Sequence, residues 1–351
     1  MKLTLLLLAA AGLMQAQSAE VRTVGRIAMP TGTDSNVPVV RTDANTYVMF
    51  SSEGDPKISR GRTQSRFRNT QDVAILGGAN HQPMWIESAW LDERGLLYGW
   101  YHYERIIACP DGQMSVPAIG ALVSQDRGAS FRDLGLVLES WEQENCDAKN
   151  GYFAGGHGDF TVIPDRTGKY FYFHFGNYGG DAALQGVAVA RMAMADRDQP
   201  IGHVWKYFQG DWAEPGIGGR QTPVFPARID WGQEDTDAFW GPSVHWNTHL
   251  EKYVMLLNRS CCWSGWPQEG IYVSYAADLH DPAAWSEPVK IAQIDNWYPQ
   301  VIGLGPDGSD TLAGRVARLY VRGVSEWQIV FHREAGDDSD SDSTGLDLSS
   351  R

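Results

Sequence analysis

The sequence predicts an all-β protein, a five-bladed β-propeller, from three observations. Gly and Trp are both frequent, with 38 and 14 residues, and this mix of turn formers and aromatic residues is typical of short strands joined by tight turns. Beyond the N-terminal segment, no helical periodicity extends for more than a turn or two. A hairpin pattern recurs through the chain, and five such units indicate propeller blades, because none could bury its faces alone.

Each recurring unit begins with an apolar strand that runs into a polar turn, and an aromatic-rich strand returns from that turn. A further strand usually follows, as in AIGALVS, GVAVARMAM and GIYVSYA. The five units cover residues 38–52, 83–104, 159–178, 241–260 and 299–334. A β-sandwich is the competing fold, but a sandwich does not require the same hairpin to recur through the whole chain.

The propeller is expected as a single domain over residues 20–335. Residues 1–19 combine Lys2, an apolar run and small residues, which is the pattern of a secretory signal peptide, and the run is too short to span a membrane. No Cys lies near the cleavage region, so we expect a secreted or periplasmic protein without a lipid anchor. Residues 336–351 are acidic and polar, which predicts a disordered tail.

The charge balance excludes two classes of partner. Lys and Arg total 29 against 43 Asp and Glu, which gives a formal net charge of −14. Nucleic acids and anionic membranes both require a basic face, so neither is expected as a partner. We expect a monomer.

Four Cys residues are expected to form two disulfides in an exported protein. Three pairings are possible. The simplest joins Cys109 to Cys146 and leaves a vicinal bridge between Cys261 and Cys262, whereas the other two tie the region of Cys109 to residues 261–262. A zinc site is disfavoured, because no CxxC spacing occurs with nearby His residues.

The turn SQDRGASF, residues 124–131, fits the Asp-box pattern S-x-D-x-G-x-S/T-F/W. In this motif the Asp hydrogen-bonds to the backbone of the turn and the aromatic residue packs beneath it. Asp126 is therefore expected to be structural, and the motif favours a propeller.

Several segments resemble the five-bladed β-propeller glycoside hydrolases, the arabinanases, β-xylosidases and arabinofuranosidases of glycoside hydrolase family 43 and its relatives. The segment FWGPSVHWNTHLEKYVMLLN, followed by GIYVSYAADLHDPAAWSEPVKI, is similar to their fourth unit, and GDFTVIPDRTGKYFYFHF is similar to their third. WYPQVIG is similar to the start of their last blade. The resemblance covers about residues 35–333 and implies cleavage of a glycosidic bond in an oligosaccharide or polysaccharide of plant or microbial origin.

That chemistry needs two carboxyl groups beside the glycosidic bond. The resemblance implies a base at the first blade, here Asp34, and a pKa-tuning Asp at the third, here Asp159. The acid Glu is expected just before Gly-Pro in the fourth blade, where this sequence has Trp240. The identity of the general acid is therefore open, and one relative of the group uses His for this role. The candidates are Glu87, Glu234, Asp235, Asp237, His102 and His157.

Each carboxylate also has a structural interpretation. Asp34 lies in the loop TGTDSNVP, where Asp is a common turn residue, and Asp159 suits a turn at a strand start. Asp237 also suits a loop. Glu87 shares a face with Trp85 on an inner strand, where an unpaired buried charge is costly, and this favours a functional role.

Aromatic residues at strand ends and in loops indicate a glycan ligand, because the apolar faces of sugars stack on aromatic rings. Some of these residues instead pack between blades. In YHYE, residues 101–104, His102 and Glu104 share a face and would hydrogen-bond substrate hydroxyls or each other. The loop NRSCCWSGWPQEG is rigid if its Cys residues pair. The candidate substrate-binding residues are Trp85, His102, His157, Trp240, Trp263, Trp297 and Tyr298.

Two other functions remain open. Trp240 in place of Glu is what a non-catalytic carbohydrate-binding propeller would show. A sialidase-like exo-glycosidase fits the Asp-box and requires three arginines to converge in one pocket. Those arginines would come from Arg41, Arg191, Arg220 and Arg259. No cofactor is expected, although the resemblance allows an axial Ca²⁺.

Overall fold

The computed structural model describes residues 18–333. The predicted tail over 336–351 lies outside the described residues, and so does the predicted signal peptide except for Ser18 and Ala19, which begin a strand. Five separate sheets form the described part, and the prediction of an all-β, five-bladed propeller is confirmed. None of the helices within residues 18–333 is long and apolar enough to cross a membrane.

The strands are distributed over the blades in chain order. The N-terminal strand is β1 (Ser18–Ala28). The first blade contains β2 (Val39–Asp43), β3 (Thr46–Ser52), β4 (Pro56–Thr63) and β5 (Arg66–Asp72). The second contains β6 (Ala74–Leu76), β7 (Met84–Leu91), β8 (Leu97–Cys109), β9 (Gly112–Ser124) and β10 (Ser130–Leu138).

The third blade contains β11 (His157–Pro164), β12 (Tyr170–Asn177), β13 (Gly186–Ala193), β14 (Val204–Phe208), β15 (Asp211–Pro215) and β16 (Phe225–Pro226). The fourth contains β17 (Ala238–Asn247), β18 (Lys252–Ser260), β19 (Gln268–Ala276) and β20 (Val289–Ala292). The fifth contains β21 (Pro299–Gly303), β23 (Val316–Val321) and β24 (Val324–His332), while β22 (Leu312–Ala313) pairs with β17 of the fourth. Short 3-10 helices span Ala182–Leu184, Met194–Asp196 and Pro282–Ala284.

The ring closes through the N-terminal strand. β1 pairs antiparallel with β24, from Ser18 opposite His332 to Ala28 opposite Val324, and it becomes the outer strand of the fifth blade. The inner strands are β2, β7, β11, β17 and β21. The first and last blades also meet at the axis, where Gln300 accepts from the backbone N–H of Val37 at 2.7 Å and donates to its carbonyl at 2.8 Å.

Both faces of a typical blade are buried, which explains why the strands are apolar rather than alternating with polar residues. In β12, Phe171, Phe173 and Phe175 pack towards the second blade, whereas Tyr172 packs towards the fourth. Successive side chains of a strand point to opposite faces, so one strand supplies two cores. Five apolar cores result, and each lies between two neighbouring blades.

The turn at residues 124–131 is held by its polar side chains. Asp126 Oδ1 accepts from the backbone N–H of Ser130 at 2.9 Å and from the hydroxyl of Ser124 at 2.8 Å. Phe131 is buried beneath the turn, edge-on to Phe50 at 5.5 Å between ring centres. These contacts give Asp126 a structural role.

The structure contains the first of the three disulfide pairings. Cys109 pairs with Cys146, with Cα atoms 5.4 Å apart, and Cys261 pairs with its neighbour Cys262. The first bridge ties the end of β8 to the long segment between β10 and β11. That segment reaches the centre of the ring.

Candidate functional site

A cavity of about 320 Å³ opens where the inner strands begin, and every blade contributes a residue at or just before such a start. These five residues are Asp34, Trp85, Asp159, Trp240 and Tyr298. The rest of the lining is His102, Glu104, Asn150, Tyr152, Phe153, Gly265, Trp266 and Trp297. Seven lining residues are aromatic and three are acidic. Residues from distant parts of the chain therefore meet at the axis.

Asp159 lies on the cavity floor, in a strained backbone position. Its φ of 44° lies in the left-handed region, and the register of β11 against β12 shifts between Gly158 and Phe160, as in a β-bulge. A Cβ at position 158 would lie 2.6 Å from Cε1 of His102, so only glycine allows this approach. The bulge therefore turns the Asp159 side chain into the cavity.

Two tyrosines hold the Asp159 carboxylate. Tyr298 donates to Oδ1 at 3.0 Å, and Tyr178 donates to Oδ2. Burial and the Asp159 carboxylate raise the pKa of both phenols, so the hydroxyls remain protonated and act as donors. Asp159 is buried, yet both of its oxygens have hydrogen bonds, which lowers the cost of burying a carboxylate.

His102 lies between two glutamates. Its Nδ1 atom is 3.1 Å from Oε1 of Glu87, and its Nε2 atom is 3.6 Å from Oε1 of Glu104. Nε2 has no hydrogen-bond partner. Glu87 Oε2 accepts from the backbone N–H of Phe160 at 2.9 Å. One nitrogen of the ring is thus anchored by Glu87, and the other is buried and faces Glu104.

Opposing effects set the pKa of these two groups. Burial lowers the pKa of His102, but the hydrogen bond to Glu87 and the charges of Asp159 and Glu104 outweigh burial and raise it to about 9. Burial raises the pKa of Glu87 to about 7, against the opposing effect of His102. The protonated imidazole is therefore the favoured form at neutral pH.

The remaining two carboxyl groups lie nearer the cavity mouth. Glu104 accepts from the Tyr152 hydroxyl at 2.6 Å, and burial raises the pKa of Glu104 despite His102. Asp34 is 3.7 Å from Arg322, and its side chain is 41% exposed. Burial raises the pKa of Asp34, Arg322 opposes that shift, and Asp159 adds to it. Asp34 is thus the carboxyl group that water reaches most easily.

A stack of aromatic rings forms one wall. Phe153 lies between Tyr178, at 4.1 Å, and Trp266, at 5.4 Å, and the rings are nearly parallel. The side chain of Asn150 shapes the loop by donating to the carbonyl of Phe153 and accepting from the N–H groups of Tyr152 and Phe153, at 2.8–2.9 Å. This wall gives the cavity a rigid apolar surface.

The cavity contains seven of the thirteen residues that the sequence suggested for catalysis or binding. They are Asp34, Trp85, His102, Asp159, Trp240, Trp297 and Tyr298. Glu87 lies directly beneath the cavity and acts on it through His102. Trp240 fills the position where the resemblance implied an acid, and its ring nitrogen donates to Gln268 at 3.2 Å.

Three predicted site residues lie elsewhere. Asp237 accepts two hydrogen bonds from Arg259, both at 2.8 Å, and this ion pair holds it outside the cavity. His157 is fully buried, and its Nε2 atom accepts from Lys206 at 2.8 Å. Burial and Lys206 lower the pKa of His157 well below its usual value, so it is no proton donor. Trp263 is 75% exposed and does not line the cavity.

The remaining acid candidates and the arginines are also outside the cavity. Glu234 and Asp235 are exposed on a loop. The prediction of a sialidase-like arginine cluster is wrong, because none of the four arginines lines the cavity. Arg41 pairs with Asp307, Arg220 with Glu214 and Arg259 with Asp237, while Arg191 lies over Tyr170 and Trp212.

Sequence reasoning missed Asn150, Tyr152, Phe153 and Tyr178. The first three lie in the segment KNGYFAGG, whose adjacent aromatic residues between glycines precede Asp159. That combination is the signal that could have located them, since Gly-rich loops with exposed aromatic residues often contribute to binding sites.

The Glu87, His102 and Asp159 side chains bring potential metal-ligand atoms within 4.8 Å of one another. They do not fit an axial Ca²⁺, which prefers six to eight oxygen ligands. One of the three groups is an imidazole, and hydrogen bonds from Phe160, Tyr178 and Tyr298 already occupy carboxylate oxygens. No chemical step is therefore assigned to calcium.

The fold and the cavity define the class of protein, a five-bladed propeller with the architecture of glycoside hydrolases. No protein-family model matches the sequence, and no curated protein matches it either. The endo-arabinase of Bacteroides thetaiotaomicron VPI-5482 has a similar structure, with 12% identity, a TM-score of 0.52, and coverage of 88% of this chain and 96% of that chain.

The α-L-arabinofuranosidase of Lactobacillus brevis is also similar, with 12% identity and a TM-score of 0.52. That alignment covers 87% of this chain and 92% of the other. At such low identity the comparisons establish the fold. The resemblance to the five-bladed glycoside hydrolases is therefore confirmed at the level of architecture.

Proposed function

We propose that this protein is a glycoside hydrolase that binds an oligosaccharide or polysaccharide in the axial cavity and cleaves one glycosidic bond there. The observation that carries the proposal is the convergence of Asp34, Glu104, Asp159 and His102 on one cavity with aromatic walls. Aromatic rings bind the apolar faces of sugars, and the titratable groups supply the acid and base that glycoside hydrolysis needs.

Asp34 is the candidate base or nucleophile. Its side chain is 41% exposed and no hydrogen bond occupies its Oδ1 atom, so the carboxylate is available to take a proton from water or to attack carbon. Arg322, at 3.7 Å, favours the ionised form that this role needs. Partial exposure of the side chain allows water to reach the carboxylate.

The acid is assigned to the pair of His102 and Glu104. A general acid must carry an acidic proton and touch the cavity, and the indole N–H of Trp240 is far too weak an acid for this role. His102 and Glu104 both line the cavity, and their facing atoms are 3.6 Å apart. The raised pKa values of both groups keep a proton on the pair at neutral pH. That proton would pass to the leaving oxygen of the glycosidic bond.

Asp159 supplies fixed negative charge. The two tyrosine hydrogen bonds hold its carboxylate in place on the cavity floor. The transition state of glycoside hydrolysis is oxocarbenium-like, with positive charge on the sugar ring. A preorganised carboxylate beside that ring would stabilise the charge without reorganisation.

The test is release of reducing ends from a panel of polysaccharides. Asp34→Asn and Asp159→Asn are expected to abolish release, whereas Asp235→Asn, which changes an exposed carboxylate outside the cavity, is the matched control. Full activity in Asp159→Asn would contradict the proposal. Binding of a glycan by the native protein with no release from any substrate would contradict it as well.

A non-catalytic carbohydrate-binding propeller is the second candidate, and Trp240 favours it, because this residue stands where the resemblance implies an acid. Under that function the aromatic cavity binds glycan without turnover. We also propose export, from the leader-like residues 1–19. Sequencing the N-terminus of the mature protein tests export, and a retained Met1 would contradict it.

A further inference from the structure

We infer that the cavity selects a cationic amino sugar over neutral and acidic sugars. The inference rests on the proposed function, since it names the substrate class of the same cavity. Its basis is the sign of the charges around the cavity, the hydrogen-bonding groups that remain without partners, and an arginine side chain of the protein that lies at the rim.

The lining carries a net negative charge, since its three carboxyl groups outnumber the one imidazolium of His102. It contains three carboxyl groups, Asp34, Glu104 and Asp159, and neither Lys nor Arg is among its residues within the described chain. The faces of the seven aromatic rings carry negative electrostatic potential, which attracts cations in the same way as the carboxylates. An acidic sugar would therefore place its carboxylate among like charges, and the imidazolium of His102, the one cation among the described lining residues, is already paired with Glu87.

Among the described neutral groups of the lining, the ring N–H groups of Trp85 and Trp266 are buried without a partner, whereas the amide and hydroxyl groups are already committed. Asn150 uses both ends of its amide on the backbone of its own loop. The hydroxyls of Tyr152 and Tyr298 are committed to Glu104 and Asp159. These groups contribute little to the recognition of a neutral sugar.

The free acceptors are charged. Asp34 Oδ1 faces Arg322 at 3.7 Å and Glu104 Oε1 faces His102 at 3.6 Å, both beyond hydrogen-bond length. An ammonium group has three donors and no acceptor, so it complements free carboxylate oxygens. The structure therefore matches a protonated amine better than a hydroxyl or an acetamide.

Arg322 shows how a cation is held at this site. Its guanidinium lies over the Trp297 ring, 4.9 Å from the ring centre, and one nitrogen is 3.7 Å from Asp34. Arg322 is outside the lining and 40% exposed, and its distance to Asp34 is longer than a hydrogen bond, so a ligand could displace it. A bound amino sugar would make the same two contacts and would compete with Arg322 for Asp34.

The experiment is isothermal titration calorimetry with three trisaccharides: glucosamine trimer, N-acetylglucosamine trimer and galacturonic acid trimer, at a pH where the amines are protonated. The glucosamine trimer is expected to bind about tenfold tighter than its acetylated form, from one charge-assisted hydrogen bond. The galacturonic acid trimer should bind most weakly. Added salt should weaken only the glucosamine complex. Equal affinity for the first two sugars, or preference for galacturonic acid, would overturn the inference.

Two variants sharpen the test. Arg322→Gln removes the competing cation and is expected to strengthen binding of the glucosamine trimer severalfold, a gain that a merely structural arginine would not give. The matched control is Arg26→Gln, an exposed arginine on β1 that pairs with Glu326 at 3.2 Å. Glu104→Gln should lower the affinity for the glucosamine trimer about tenfold and lower the affinity for the acetylated trimer less. Unchanged or weaker binding by Arg322→Gln would count against the inference.

The failure of this inference differs from the failure of the proposed function. Tight binding of the glucosamine trimer without release of reducing ends from any glycan would contradict the proposed hydrolase activity but support the preference for a cationic sugar. Hydrolysis of neutral glycans without preference for the amino sugar would support the hydrolase activity and contradict the preference for a cationic sugar.

Discussion

The Nδ1 atom of His102 lies 3.1 Å from the Oε1 atom of Glu87, and the opposite nitrogen of the same ring is buried without a hydrogen-bond partner, 3.6 Å from Glu104. Glu87 itself does not line the cavity. Its carboxylate orients the ring and stabilises the imidazolium, as a buried carboxylate does for histidine in catalytic sites. Glu87 is therefore a positioning residue, and the Nε2 proton faces Glu104, which lines the cavity.

Replacing Glu87 by Gln is expected to move the alkaline limb of the pH–activity profile to lower pH. The raised pKa of His102, about 9, depends on Glu87. Without the carboxylate the imidazolium is less favoured, so the pKa of His102 should fall by about one to two units. The measurement is kcat/KM against pH. A uniform loss of activity at all pH values would instead indicate a purely structural Glu87.

The same pair makes the stability of the fold depend on pH. The pKa of Glu87 rises on folding from 4.5 to about 7, and that of His102 from 6.5 to about 9. The folded protein therefore binds more protons than the unfolded chain, and this contribution to stability is complete below pH 4.5 and lost as pH rises through 7 and 9. Urea unfolding of the native protein should show a steeper loss over this range than unfolding of the Glu87→Gln, His102→Gln double variant. Parallel curves would contradict the prediction.

Replacing Trp240 by Glu is expected to destabilise the protein without creating an acid. Trp240 is buried, its ring nitrogen donates to Gln268, and it packs edge-on to Tyr298 at 5.6 Å between ring centres. Loss of a buried Trp costs about 3–5 kcal/mol, and the new carboxylate would lie near Asp159. Urea unfolding and reducing-end release measure both effects, with Trp240→Phe as the conservative control. A stable, more active Trp240→Glu protein would show that the position is a vacant acid site.

Much of the architecture was predictable because a blade is a local unit. The hairpins of β7 with β8 and β17 with β18 follow from apolar runs and turn residues within about twenty positions. The starts of inner strands converge by geometry, so Asp34, Asp159 and Tyr298 could be placed at one site from the sequence.

Side-chain direction was less predictable, because it depends on local irregularities and long-range partners. His157 and Asp159 are two residues apart and would share a face in a regular strand, but the bulge at Gly158 separates them. Asp237 is a candidate acid from the sequence, but its pairing with Arg259, 22 residues later, holds it outside the cavity. Tyr152 lies in a loop without periodicity.

Replacing Lys206 by Met is expected to destabilise the fold by about 3 kcal/mol. Lys206 is fully buried and donates to the carbonyls of Glu139 and Gly219, at 2.7 and 2.8 Å, and to His157. Met would fill the space but leave these acceptors unpaired. The free energy of unfolding in urea is the measurement.

The control for Lys206→Met is Lys57→Met. Lys57 forms an exposed ion pair with Asp72 at 2.7 Å, and such pairs contribute about 1 kcal/mol or less. Equal losses of unfolding free energy in the two variants would show that the hydrogen bonds of the buried Lys206 ammonium group do not stabilise the fold.

Loss of the bridge between Cys109 and Cys146 is expected to affect stability and substrate binding together. The bridge closes a loop of 37 residues, and the chain-entropy argument gives about 4 kcal/mol for a loop of this length. The bridged segment also carries Tyr152 and Phe153 to the cavity wall. Its release should therefore raise KM more than it lowers kcat.

The Cys109→Ser, Cys146→Ser double variant tests this prediction by urea unfolding and by kinetics on a glycan that the native protein cleaves. The bridge between Cys261 and Cys262 joins adjacent residues and closes almost no loop, so the corresponding double Ser variant should lose much less stability. If the first variant keeps the native KM, the aromatic stack of Phe153 with Tyr178 and Trp266 holds the wall without the bridge.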